Sequence, residues 1–187
     1  MRSTTPVDVA EFIGLSHPQD CNWSSGVSFA YDGGLFVTPS VDGWVLICGR
    51  DLPPFSESAL AQVETRLSLF SERFAEAQVF ATHRVVEYHV WARARDGVMT
   101  RGFGYVGESG VTLFDQGFDD KEASLGFEFI DMNDVPTEEE LDAADWPSEE
   151  AVMEVARVWS ICPVDLAERT SPGVGLAGKH STFFAET

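Results

Sequence analysis

The feature that most constrains this chain is Asp96-Gly97, a two-residue turn set between two stretches of alternating character. Asp and Gly tolerate the positive φ angles of a tight hairpin, and the turns they form match the right-handed twist of the strands they join. Before the turn, Arg84 to Arg95 reads with period two: Val86, Tyr88, Val90, Ala92 and Ala94 make an apolar face, while Glu87, His89, Trp91, Arg93 and Arg95 point the other way. After it, Val98 to Val106 returns antiparallel, Glu108-Ser109-Gly110 turns again, and Val111 to Phe114 forms a third strand. Within the returning strand Arg101, Phe103 and Tyr105 share one face, and Gly102 and Gly104 relieve crowding on the other. Gly102-Phe-Gly-Tyr-Val-Gly107 has the letters of a dinucleotide fingerprint, but that device works only at a strand-to-helix turn, and here it lies inside a strand.

The rest of the chain is read around this meander. Val9, Phe12 and Ile13 predict a short N-terminal helix. Val27 to Tyr31 and Leu35 to Thr38, around Asp32-Gly33-Gly34, predict a hairpin, and Trp44 to Gly49 predicts a central strand buried on both faces. Leu60, Val63, Leu67, Phe70 and Phe74 recur at steps of three and four, which predicts a helix of about 15 residues starting near Ser56 or Ser58 and covering a sheet. Gln78 to Thr82 predicts a strand, and Leu125 to Ile130 an edge strand. Thr137 ahead of Glu138, Glu139 and Glu140 reads as one helix start, and Ser148 ahead of Glu149 and Glu150 as another, with Val152, Val155, Ala156 and Trp159 on its apolar side. The expected fold is α+β, a mostly antiparallel sheet in two meanders packed by two or three helices. Its expected organisation is an N-terminal segment over 1–26, a single domain over 27–169 and a flexible tail over 170–187.

Charge narrows the function. Of 187 residues, 31 are acidic and 12 basic, a formal net charge of -19. Residues 1–102 hold 12 acids and 8 bases; residues 103–187 hold 19 acids and 4 bases. Sixteen of the acids fall between Glu108 and Glu154, where Lys121 is the only base. Phosphate contacts need Lys and Arg, so nucleic acid is not an expected partner. The supply of 14 Phe and 5 Trp is too rich for a disordered chain. No apolar run reaches the roughly 18–20 residues of a membrane helix, and residues 1–10 lack the apolar stretch of a secretory leader. Three widely spaced cysteines, Cys21, Cys48 and Cys162, form no disulfide framework or zinc motif and fit a reducing cytoplasm.

No catalytic signature stands out. His83, Glu87 and His89, at even separations on one presumed strand, would share a face and could serve acid–base or metal chemistry; ordinary surface packing is the competing reading. Asp131-Met-Asn133-Asp134 begins like a calcium loop, yet Pro136 stands where the sharp turn needs glycine. Ser109 is not in a nucleophile-elbow motif, and Cys48 and Cys162 sit among apolar neighbours as core residues. No cofactor and no metal are expected.

The segments Val41-Asp-Gly-Trp-Val-Leu-Ile-Cys-Gly49, Ala81-Thr-His-Arg-Val-Val-Glu-Tyr-His-Val-Trp-Ala92 and Arg101-Gly-Phe-Gly-Tyr-Val-Gly-Glu108 resemble small bacterial immunity proteins of polymorphic secreted toxin systems, over roughly residues 27–115. The resemblance lies in overall pattern, and no functional residue transfers from it. It implies a cytoplasmic binder that neutralises a cognate toxin by stoichiometric complex formation, with an acidic surface suited to a basic toxin. Charge would speed association and aromatic residues would supply affinity. The expected contacts are Asp119, Asp120, Glu138, Glu139 and Glu140, with Trp91 and Trp146 as exposed anchors. The alternative is a small hydrolase or metal-dependent enzyme using the His83, Glu87 and His89 face.

Overall fold

The fold is that of a computed structural model, described over residues 4–50, 52, 59–129, 145–166, 173–181 and 183–184, with the side chains of 59 and 60 excepted. Its elements are α1 (Pro6–Phe12), β1 (Gln19–Cys21), α2 (Trp23–Tyr31), β2 (Leu35–Val37), β3 (Ile47–Cys48), α3 (Ala59–Phe74), β4 (Glu76–His83), β5 (Tyr88–Arg95), β6 (Val98–Val106), β7 (Val111–Gly117), α4 (Asp120–Ala123), α5 (Glu149–Trp159), a 3₁₀ turn at Pro163–Leu166, and β8 (Gly175–Gly178). Two four-stranded antiparallel sheets result, in the orders β1-β8-β2-β3 and β4-β5-β6-β7, so the α+β expectation holds. The chain divides into two compact units, 1–54 with 168–187, and 55–167.

The 55–167 unit is the meander that the Asp96-Gly97 turn predicts. β4 to β7 follow one another in order, and the pairing runs Thr82↔His89↔Tyr105 at one end and Gln78↔Arg93↔Arg101 toward the other. Strand alternation sends Ala77, Ala92 and Ala94 to one face, where Val63 and Leu67 of α3 cover them with Phe70 and Met99 at the margin. Phe80, Trp91, Phe103 and Tyr105 go to the other face, under Val152, Val155 and Trp159 of α5. The α5 helix starts where the sequence puts it, with the Ser148 hydroxyl accepting the Ala151 amide at 3.2 Å. Gly102 and Gly104 make room for Phe114: a Cβ on Gly104 would stand 2.4 Å from that ring.

The 1–54/168–187 unit departs from expectation. Val27 to Tyr31 is helix, not strand, because Asn22 caps it by accepting the Ser25 amide at 2.9 Å. Gly26 on this helix faces Phe36; a Cβ there would lie 2.3 Å from the ring, so the small residue lets helix and sheet meet. The run 44–49 is not a central strand: Ile47–Cys48 form a two-residue strand, half-buried, at the sheet's edge, and Trp44 makes an isolated bridge back to Val41. Gly175–Gly178, expected in a loose tail, lies between β1 and β2, with Gly175, Ala177 and Gly178 buried. Further bonds stitch it to the N-terminal segment: the Ser16 amide donates to the His180 carbonyl at 2.8 Å, and the Ser181 hydroxyl to the Ile13 carbonyl at 2.5 Å. The expected edge strand at 125–130 reduces, over its described residues, to one bridge between Phe129 and Asp145. The helix start at Thr137 and the Asp131–Asp134 segment lie outside the described residues. Among the described residues, no helix is long and apolar enough to cross a membrane.

Candidate functional site

Among the described residues, one face of the meander carries paired polar side chains at each of its two ends. At the lower end two arginines are drawn into the protein. Arg93, with 4% of its side chain exposed, pairs with Glu76 at 2.6 Å and Asp119 at 2.9 Å, and its guanidinium lies 5.5 Å from the Trp159 ring centre. Arg101 pairs with Glu122 at 2.6 Å and with Asp115, and donates to the carbonyls of Gly102 and Gln116, each at 3.1 Å. Glu76 also accepts from Arg95 at 3.2 Å. One buried and one half-buried cation thus meet four carboxylates in a network of ion pairs, which is what makes burial of charge tolerable. Burial pushes the Asp119 carboxyl upward, but the Glu122 amide, the Trp159 indole, Arg93 and the Lys121 amide together hold it below its ordinary value. Glu76 is likewise lowered: desolvation is outweighed by Gln78, Arg93 and Arg95.

At the upper end the balance reverses. The 84–87 turn and the 107–110 turn lie side by side, the amides of Gly107 and Glu108 donating to the carbonyls of Glu87 (3.0 Å) and Val86 (3.2 Å). Glu87 sits at φ 49°, a left-handed position that costs a non-glycine residue roughly 1 kcal/mol or more. Its side chain lies over Gly107, where a Cβ would stand 2.9 Å from the Glu87 Oε2. His89, 4% exposed, faces Thr82, whose hydroxyl is 3.1 Å from Nδ1. Burial lowers the His89 imidazole, against the pull of Glu87 and Glu149. Burial raises the Tyr105 phenol, and Glu87 adds to the rise. Glu149, first residue of α5, is lowered chiefly by its hydrogen bonds from Arg84, which forks onto both carboxylate oxygens. Trp146, 41% exposed, rests 6.4 Å from Tyr105 between ring centres.

The expected residues therefore scatter. His83 ends β4 on the face opposite His89, and Glu87 belongs to the turn, so His83, Glu87 and His89 do not share one strand face; only Glu87 and His89 come together. Arg84 pairs with Glu149, Arg93 with Glu76 and Asp119, and Arg101 with Glu122 and Asp115. Trp91, expected as an exposed anchor, is 0% exposed and stacked on Phe103 at 4.4 Å, because α5 covers the face that a half-wet strand would leave to solvent. Asp119 caps α4 and holds Arg93 and the Trp159 indole, so its oxygens are engaged internally. Asp120 and Trp146 are exposed. Glu138, Glu139 and Glu140 lie outside the described residues. Arg84, Tyr105 and Glu149 were not singled out from sequence; the Ser148 cap was the available signal, since it fixes Glu149 in the first turn of α5 beside the sheet. Among the described residues, no group of three or more His, Cys, Asp or Glu is placed to hold a metal ion.

No family model, curated protein or solved structure matches the chain.

Proposed function

We propose that the protein binds a basic protein partner, and that this partner is a toxin which it neutralises in the cytoplasm by forming a stoichiometric complex. The observation that carries the reading is the internal use of the cations. Arg84, Arg93, Arg95, Arg101 and Arg157 each sit in an ion pair with a carboxylate of the same unit. The exposed acids Glu87, Glu108, Asp120, Glu128, Asp145 and Glu150 face solvent with little cationic relief, in a chain whose net charge is -19. Such a surface raises the encounter rate with a basic partner and repels acidic ones, and the rate falls as salt screens it.

The test is co-expression with the product of the neighbouring gene in a host that the neighbour alone kills. Rescue, with a complex that co-purifies at fixed stoichiometry and associates more slowly at high ionic strength, is the expected result. A harmless neighbour, or killing that persists with abundant folded protein present, would overturn it.

A further inference from the structure

Arg93, Glu122 and His89 are all buried, but they are matched differently. Arg93 and Glu122 sit in ion pairs. His89 makes no ion pair among the described residues, and its Nδ1 lies 3.1 Å from the hydroxyl of Thr82, a neutral partner. Such a site suits the neutral ring, because an imidazolium shut away from water loses its hydration and gains no carboxylate in exchange. Around the ring stand Thr82 of β4, Tyr105 of β6, Glu87 of the turn and Glu149 of α5. The Tyr105 phenol is raised above its ordinary value by burial, so it stays neutral near pH 7. Burial of the imidazole outweighs the pull of Glu87 and Glu149 toward its charged form, and Glu149 already holds Arg84 on both of its oxygens. The first turn of α5 also presents the positive end of the helix dipole, which disfavours a cation close by.

The helix is held unevenly over this face. Ala151, Val152, Val155 and Trp159 are buried in the core. Ahead of them Ser148 and Glu149 are half-buried and Glu150 is exposed, and the Arg84–Glu149 pair has side chains 82% and 34% exposed. Ion pairs that wet hold little, and segments with few buried contacts open before a core does. We propose that the first turn of α5 is an acid-sensitive latch: when His89 takes up a proton, this turn lifts with Glu149 and lets water reach the ring, while the helix from Val155 on stays on the sheet. The latch needs no second molecule and so stands apart from the partner reading above.

The test is native-state hydrogen exchange from about pH 7.5 to about 5.5, at several low urea concentrations. The amides of Ala151 and Val152 donate to the Ser148 hydroxyl and carbonyl and report the first turn; the Trp159 amide reports the far end. After division by the intrinsic rate at each pH, exchange at Ala151 and Val152 should follow a route that low urea does not change. The population of that open state should rise as pH falls below 6.5, by at most about tenfold per pH unit, the limit for one proton. The Cε1–H resonance of His89 should titrate over the same range. His89→Gln, which keeps a hydrogen-bonding side chain and cannot titrate, should abolish the rise. Three results would overturn the latch: exchange of Ala151 and Val152 solely by the urea-sensitive route shared with Trp159, an acid rise that survives His89→Gln, or a wild-type His89 ring that titrates with no loss of first-turn protection. The first and third are read on the wild type, so they decide the matter even where His89→Gln does not fold.

Discussion

The two ends of one sheet face use the same residue types to opposite effect. At the Arg93 and Arg101 end, acids from β4, β7 and the α4 turn converge on two arginines until every charge is answered inside the protein. At the His89 and Trp146 end, among the described residues, carboxylates from a turn and a helix start, Glu87 and Glu149, outnumber the arginine paired there, Arg84. The difference lies in where the cation sits. Placed in mid-strand under a helix, as Arg93 is, it is desolvated and must be matched; placed in a turn, as Arg84 is, it stays wet, and the acids near it keep capacity for another partner. An acidic sequence block is thus partly consumed by internal pairing, and only the remainder is left to solvent.

The comparison breaks first at Arg93. Arg93→Ala takes from Asp119 its arginine and leaves Glu76 with the half-exposed Arg95 alone, and should cost about 3–5 kcal/mol in urea unfolding. A loss of under about 1 kcal/mol would mean that the lower end is no tighter than a surface pair. Next in size is Gly104→Ala, whose Cβ would stand 2.4 Å from the Phe114 ring, and an overpacked core of this kind should cost about 1–3 kcal/mol.

Acidification probes the ends at different pH. At the upper end the folded His89 resists protonation more than the unfolded chain does, so the unfolded state binds more protons and stability falls as pH drops below the ordinary value of 6.5. At the lower end Glu76 and Asp119 are held below 4.5 and 3.8, so their contribution is present above those values and is lost as pH falls through the lowered ones. The unfolding midpoint should therefore decline in two stages, and His89→Gln should flatten the upper stage alone. The smallest effect belongs to Arg84→Ala, which should change stability by no more than about 0.5 kcal/mol, because its pair with Glu149 is largely in water. A larger loss would place the upper end with the lower one as structure.

What was legible in the sequence follows from how much of each signal is local. β4 to β7, α3 and α5 were readable because alternation, a two-residue turn and a Ser cap each act within a few residues. The period-two reading of Arg84 to Arg95 erred by assuming one wet face. α5 returns from over 50 residues downstream to cover it, and that burial of Trp91, His89 and Arg93 is not written in their own neighbourhood. The alternation of Val27 to Tyr31 imitated a strand, while the deciding signal was the Asn22 cap before it. Gly175 to Gly178 read as loose because glycine weakens a strand; its place is fixed by contact, since Phe36 and Leu15 leave no room for side chains there. Of the candidate site, the acidic character and Trp146 were visible. The pairing of Arg84 with Glu149, 65 residues apart, was not.

The interior position of β8 bears on the order in which the protein can assemble during synthesis. Residues 55–167 are contiguous and hold their whole sheet, so they can fold once they have left the ribosome. The N-terminal strands β1 and β2, made first, have no direct bond to each other and wait for residues 175–178 to come between them. At about 5–20 residues per second that wait is on the order of ten seconds or more, so the earliest residues translated are among the last to acquire their neighbours.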